Sequence, residues 1–265
     1  MGRPGPGHLD VTELLALAER IAREAGAQLR EAFSGGALAT ETKSSPTDLV
    51  SEADVAAEKL IRERLLAARP DDGMLGEEGS DTRGSSGLRW IVDPLDGTTN
   101  FLFGIPQWGV SIAVEDEQGM LAGVVYDPMR DELWAARRGE PPTLDGRVLD
   151  GREHASELAQ ALVATGYGYE ADVRAAQAEI SGRVLPLVRD IRRMGSAAID
   201  LAWTAAGRYD AYFERGIKTW DFAAGALICE AAGLEVRHLN PAPPMDAGIL
   251  VAPPALADAL ASLVD

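Results

Sequence analysis

Trp90-Ile91-Val92-Asp93-Pro94-Leu95-Asp96-Gly97-Thr98-Thr99-Asn100 compresses a strand, a turn and a helix start into one short segment. The apolar run before Asp93 reads as a strand. Its expected end is Asp93, because Pro94 has no N–H to give to a central ladder. Asp96-Gly97 is turn chemistry, and Thr98, Thr99 and Asn100 suit the opening of a helix. Two carboxylates therefore flank a tight turn at a strand end, followed by backbone N–H groups free to meet an anion. Hard oxygen donors suit Mg²⁺, which keeps several waters and binds through few carboxylates plus substrate phosphate. A bare D-x-x-D is better explained as a turn and a cap, and it is the whole string that points to chemistry.

Outward from this segment the chain falls into two rhythms. On the N-terminal side, Leu14, Leu17, Ile21 and Leu29 recur at helical spacing, predicting a helix over about 9–33. A second helix is expected over about 52–68, stopped by Pro70 and the turn residues Asp71, Asp72 and Gly73. Strand-like runs follow at about 88–93, 110–116 and 121–128, with a polar loop at about 79–87, giving two helices on a largely antiparallel sheet. Beyond the Gly/Pro-rich segment 139–153, strands at about 161–166, 190–193, 208–214, 234–239 and 248–252 alternate with helices at about 170–189, 196–206, 221–232 and 254–264. The fold class is α/β, with an α+β first half at 9–143 and an α/β second half at 144–265. The Gly/Pro-rich N-terminus (1–8) reads as a disordered tail rather than a signal peptide.

Composition narrows the function. Asp and Glu number 42 against 25 Lys and Arg, for a formal net charge of −17. That balance disfavours nucleic acid or an anionic membrane as partner. No run approaches the roughly 18 apolar residues of a membrane span, so a cytoplasmic protein is expected. Cys229 is the single cysteine, which excludes an internal disulfide framework and a cysteine-rich zinc site. It sits in an apolar helical stretch and reads as a core thiol; Glu235 stands where a cysteine phosphatase would need its Arg.

Three further acids stand in similar settings. Glu77 follows an expected short strand in Gly76-Glu77-Glu78, Asp221 opens an expected helix after Trp220, and Asp54 lies three residues after Ser51. Each has a plain local reading: a solvated loop acid, an N-cap, and a capping box Ser51-x-x-Asp54.

Taken together these segments resemble the inositol monophosphatase family of lithium-sensitive, metal-dependent phosphatases. The resemblance runs over about 10–255 and is carried by Lys43-Ser44-Ser45-Pro46-Thr47-Asp48-Leu49-Val50, Gly76-Glu77-Glu78, Asp93 to Asn100, and Trp220-Asp221 through Ala224-Gly225. It implies a layered αβαβα sandwich of the inositol monophosphatase and fructose-1,6-bisphosphatase type. By it, Glu77, Asp93, Asp96, Asp221 and the Leu95 carbonyl bind two or three Mg²⁺ ions. Thr98 with Asp54 orients the attacking water, and the Gly97 and Thr98 amides cradle the phosphate. Gly195-Ser196-Ala197 and Glu214 meet the hydroxyls of a polyol, and Lys43 lies on a mobile loop near the metals. A homodimer is expected from the resemblance alone, as is lithium sensitivity.

The implied reaction is hydrolysis of a phosphomonoester by water activated at a metal, without a phosphoenzyme. The leading substrate is myo-inositol 1-phosphate or a close polyol phosphate. Histidinol phosphate, fructose 1,6-bisphosphate and a 3′-phosphonucleotide remain open, as does a regulatory binding protein on the same scaffold. Departures from the family pattern, GEPPTLDGR after Arg138 and Gly79 after the GEE triplet, touch no expected metal ligand.

Overall fold

The structure is a computed structural model that describes residues 10–34, 52–79 and 81–265. The expected disordered tail at 1–8, Lys43 with its segment 43–50, and Ser51 lie outside the described residues.

The first helix, α1 (Val11–Ser34), buries Leu14, Leu17, Ile21 and Leu29. Helix α2 (Glu52–Ala68) buries Asp54, Ala57, Glu58, Ile61 and Leu65. Those spacings put all five on one face, so two acids share the stripe that packs inward. Both helices cover one face of a sheet built from β1 (Gly73–Gly76), β2 (Asp81–Thr82), β3 (Arg89–Asp96), β4 (Gly109–Asp116), β5 (Gly119–Asp127), β6 (Glu132–Arg137), β7 (Thr143–Leu144) and β8 (Arg147–Val148). The strand order is β2-β1-β3-β4-β5-β6-β7-β8, antiparallel except for the β1–β3 pair.

The second sheet comprises β9 (Leu162–Thr165), β10 (Asp190–Arg192), β11 (Ala211–Arg215), β12 (Glu235–Leu239) and β13 (Gly248–Ala252), in the order β10-β9-β11-β13-β12. Helices α5 (Ala197–Ala205) and α6 (Thr219–Ala231) lie between the two sheets, while α4 (Ala171–Val184) and α7 (Pro254–Val264) cover the far side of the second. The layers are helix, sheet, helix, sheet, helix. This is the expected α/β sandwich.

The middle layer is closely packed. A Cβ on Gly123 of β5 would lie 3.0 Å from Ala224 Cα, and one on Gly225 of α6 would lie 2.6 Å from Leu201 Cβ on α5. Two glycines on facing surfaces let α6 approach a sheet on one side and a helix on the other. Cys229 is buried in this layer and donates its S–H to the Leu201 carbonyl at 3.1 Å, the core role expected for it.

Two expectations are corrected. The strand through Trp90 does not stop at Asp93 but continues to Asp96. Between the Asp93↔Ser111 and Asp96↔Gly109 pairs, β3 spends one more residue than β4. The bulge absorbs the donor that Pro94 lacks, and the ladder resumes beyond it. The segment read as a polar loop at 79–87 contains β2, two exposed residues paired with β1.

Candidate active site

The bulge in β3 sets the site. It aims Asp93 and Asp96 to one end of the strand, where the chain turns at Gly97 into the short helix α3 (Thr98–Leu102). Gly97 has φ +98°, and a Cβ there would lie 2.9 Å from the Gln107 carbonyl and 3.2 Å from that of Gly195. Both the left-handed conformation and the crowding demand glycine. Asn100 fastens the turn: its Nδ2 donates to the Gln107 carbonyl at 2.7 Å and to that of Met194 at 2.8 Å.

A cavity of about 430 Å³ opens here, lined by Glu77, Asp93, Leu95, Asp96, Gly97 and Thr98 from the first half and by Gly195, Ser196, Ala197, Glu214 and Asp221 from the second. These expected residues are brought together. Asp54 stands behind them, 1% exposed, with its Oδ2 3.0 Å from the Thr98 hydroxyl. The Leu95 carbonyl also lies 3.0 Å from that hydroxyl.

Each acid is held by its own local device. Glu58 of α2 accepts the Glu78 N–H at 2.8 Å and so fixes the Gly76-Glu77-Glu78 turn. Asp93 Oδ1 accepts the Leu95 N–H at 3.0 Å. Asp96 Oδ2 accepts from the Ser196 hydroxyl and the Ala198 N–H, both at 2.6 Å, which joins the β3 turn to the start of α5. Asp221 Oδ2 accepts the Lys218 N–H at 2.6 Å across the first turn of α6. Asp221 is thus not the N-cap its position suggested: Lys218 is, and Asp221 is the third helical residue, making the capping-box bond back to the Lys218 N–H while also lining the cavity. Glu214 accepts the Tyr212 hydroxyl at 2.5 Å, in a space that exists because residue 166 is glycine; a Cβ there would lie 2.0 Å from Glu214 Oε2.

The cluster is electrostatically costly on its own. Burial, then repulsion from Glu77, Asp96, Asp221 and Asp54, pushes Asp93 well above the usual carboxylate range. Burial, then Asp96, does the same to Asp221, and burial with Glu77 and Glu78 raises Asp54. Burial lifts Glu77 to about 7 and Glu214 to about 7. Asp96 reaches about 6, burial outweighing the hydrogen bonds from Ser196 and Ala198. Acids packed so that each raises the next want a cation.

The donor set fits a hard divalent ion. All donors are oxygen, from carboxylates and a carbonyl. No three acidic, histidine or cysteine side chains among the described residues are gathered into a ready coordination shell. Mg²⁺ does not need one, since it characteristically takes one or two carboxylates and keeps waters or substrate oxygens for the rest.

Several cavity residues escaped the sequence reading. Arg193 brings a guanidinium whose charge favours ionised Asp96 and Glu214. Tyr169 has its hydroxyl 3.5 Å from Thr99 Oγ1 at the rim. Asp200 lines the wall at 2% exposure, and burial raises it well above the usual range. The one available signal was a charge in the apolar run Ala197-Ala198-Ile199-Asp200-Leu201-Ala202.

Comparison with known proteins agrees with this geometry. The model of the inositol monophosphatase family matches residues 10–265. The inositol-1-monophosphatase SuhB of Mycobacterium tuberculosis is 42% identical over 93% of this chain and 91% of its own length. The Nus factor SuhB of Escherichia coli is 39% identical over 83% of each chain. The crystal structure of the extragenic suppressor protein suhB from Bartonella henselae superposes with a TM-score of 0.86 at 35% identity, covering 96% of this chain and 98% of that one. A carboxylate cavity at a bulged strand end, on this layered fold and with this degree of likeness, makes the chain a member of the inositol monophosphatase family and a phosphatase of that type.

Proposed function

We propose that this phosphatase is Mg²⁺-dependent and hydrolyses myo-inositol 1-phosphate or a similar small polyol phosphate by direct attack of water. The observation that carries this reading is the convergence of Glu77, Asp93, Asp96 and Asp221, far apart in sequence, on one cavity beside the Thr98–Asp54 pair. Glu77, Asp93, Asp96, Asp221 and the Leu95 carbonyl would hold the metal. Bound divalent cations supply Lewis acidity, acidifying water and offsetting charge on phosphate and leaving oxygens.

The chain's own groups do the rest. A Thr98 hydroxyl that donates its hydrogen bond to Asp54 keeps its lone pairs to accept one from an incoming water, which orients that water toward phosphorus. The Gly97 and Thr98 N–H groups, at the start of α3, donate to the phosphate oxygens. Gly195, Ser196 and Ala197 line the cavity beside the Asp96–Gly97 turn, and Glu214 accepts hydroxyls of the leaving alcohol. Lys43, outside the described residues, is assigned to the same site only by resemblance. Lithium sensitivity and a homodimeric state likewise rest on the family.

The test is phosphate release from a panel of esters, with Mg²⁺ and with EDTA. Myo-inositol 1-phosphate is expected to rank at or near the top by kcat/KM. A ranking led by histidinol phosphate, fructose 1,6-bisphosphate or a 3′-phosphonucleotide would refute the substrate assignment, and full activity in EDTA would refute the metal. The 39% identity to a Nus factor favours one second reading, a regulatory role on this scaffold. Equal inertness of wild type and Asp93→Asn on every ester would favour it.

A further inference from the structure

Asp200 lies in the first turn of α5, four residues after the Ser196 cap, and is 2% exposed on the cavity wall. Its Oδ1 is buried and has no hydrogen-bond partner among the described residues. The other deeply buried aspartates of the second half and its neighbourhood are not left so. Asp210 accepts from Arg152 Nη2 at 2.8 Å and from the N–H groups of Ala155 and Leu162 at 2.7 and 2.8 Å. Asp127 accepts from the N–H groups of Met129 and Arg130 at 2.9 and 3.1 Å and from the Arg130 guanidinium at 2.6 Å. Both of these structural acids are satisfied. A buried carboxyl oxygen left alone needs another account.

The surroundings define what could satisfy it. Asp96 and Glu214 repel negative charge at Asp200, and Arg193 attracts it. An anionic group would meet the two acids, and a cationic one would meet a guanidinium already present. A neutral hydroxyl is compatible with all three, because it can donate to a carboxylate or accept from a carboxylic acid. Oδ1 is enclosed as it stands, and because the Cβ–Cγ torsion is soft a rotation can turn it to the cavity that Asp200 lines. Glu214 lines the same cavity.

We propose that Asp200 is a specificity residue for the leaving alcohol, hydrogen-bonding a hydroxyl of the polyol alongside Glu214. The inference rests on the phosphatase reading of this cavity and deepens it. An ester whose leaving group lacks hydroxyls leaves the carboxyl as unsatisfied as it stands in the free protein, and so gains nothing from it.

The experiment compares wild type with Asp200→Leu, similar in size and apolar, in Mg²⁺. kcat/KM is measured for myo-inositol 1-phosphate and for 4-nitrophenyl phosphate, whose leaving group carries no free hydroxyl, and Tm is followed alongside. The polyol-to-aryl ratio of kcat/KM is expected to fall by roughly 10- to 100-fold. Tm is expected to hold or rise, because an unpartnered buried acid is replaced by an apolar group. Asp200→Asn, which keeps the shape and one acceptor, serves as the second variant and is expected to fall less far. Equal losses on both esters, or a lowered Tm with an unchanged ratio, would overturn the inference while leaving the phosphatase reading intact. A wild type inert on both esters would overturn that reading, and this inference with it.

Discussion

Removing divalent cations and then varying pH tests the site where its physics is most exposed. Asp96 is 9% exposed and titrates at about 6 in the folded chain, against an ordinary 3.8, with burial as the main cause. Between those values the folded state holds a proton that the unfolded chain has released. Stability therefore falls as pH rises through that window, and the full cost stands above pH 6. The two units or so amount to about 3 kcal/mol. In a scan from pH 5 to 8 the last unit remains to be lost, about 1.4 kcal/mol, which lowers Tm by about 3–6 °C in a protein of this size. Glu214, raised to about 7, acts in the same direction. Mg²⁺ binding is expected to reverse the Asp96 part, because the proposed metal site needs the ionised carboxylate. Its dissociation constant is expected to be about tenfold weaker at pH 5 than at pH 8 from Asp96 alone, and weaker still from Glu77. Calorimetric Mg²⁺ titrations and thermal shifts in EDTA at the two pH values measure both quantities. A metal-free protein whose Tm holds or rises toward pH 8, together with a pH-independent Mg²⁺ affinity, would refute the claim that these acids are mutually destabilised until a cation arrives.

Asp93→Asn removes the charge that four acids raise while keeping an acceptor for the Leu95 N–H. Its expected signature is a metal-free Tm above wild type with kcat/KM lower by roughly 10²–10³-fold; a variant less stable than wild type in EDTA would make Asp93 a mere cap. Thr98→Ala deletes the hydroxyl shared between Asp54 and the Leu95 carbonyl. It is expected to lower kcat by roughly 10²-fold or more while costing only about 1 kcal/mol in urea titrations, and wild-type kcat would remove Thr98 from the chemistry. Gly97→Ala places a methyl against two backbone carbonyls in a left-handed turn. A loss of about 1–3 kcal/mol and of most activity is expected, and wild-type values in both would show that the turn has another low-energy shape.

How much of this was legible in the sequence follows from which features are local. The β3 segment announced its own strand, turn and helix start, and the periodicities of α1, α2 and the second-half elements announced the two rhythms of the chain, while the order of the layers was implied only by resemblance to the family. The continuation of β3 past Pro94 was not legible, because the bulge depends on what β4 does opposite it. Strand β6 was missed since Leu133 to Ala136 are all buried, which erases the alternation that marks a half-exposed strand. Glu77, Asp93, Asp96 and Asp221 were named from motif likeness, and no rule of spacing could have placed them around one cavity. Arg193, Gly166 and Asp200 act only through neighbours distant in the chain. Gly166 is needed because Glu214 fills the space its side chain would take, a fact that no window around residue 166 contains.

The glycine-lined contacts of α6 have a thermal consequence. The helix that carries Asp221 is wedged between β5 and α5 with no slack for a methyl group on either side. It cannot drift while the sheets stay folded, and they cannot part without displacing it. Heat should therefore extinguish catalysis and melt the native state at a single midpoint, with no warmer interval in which a folded but disabled enzyme accumulates.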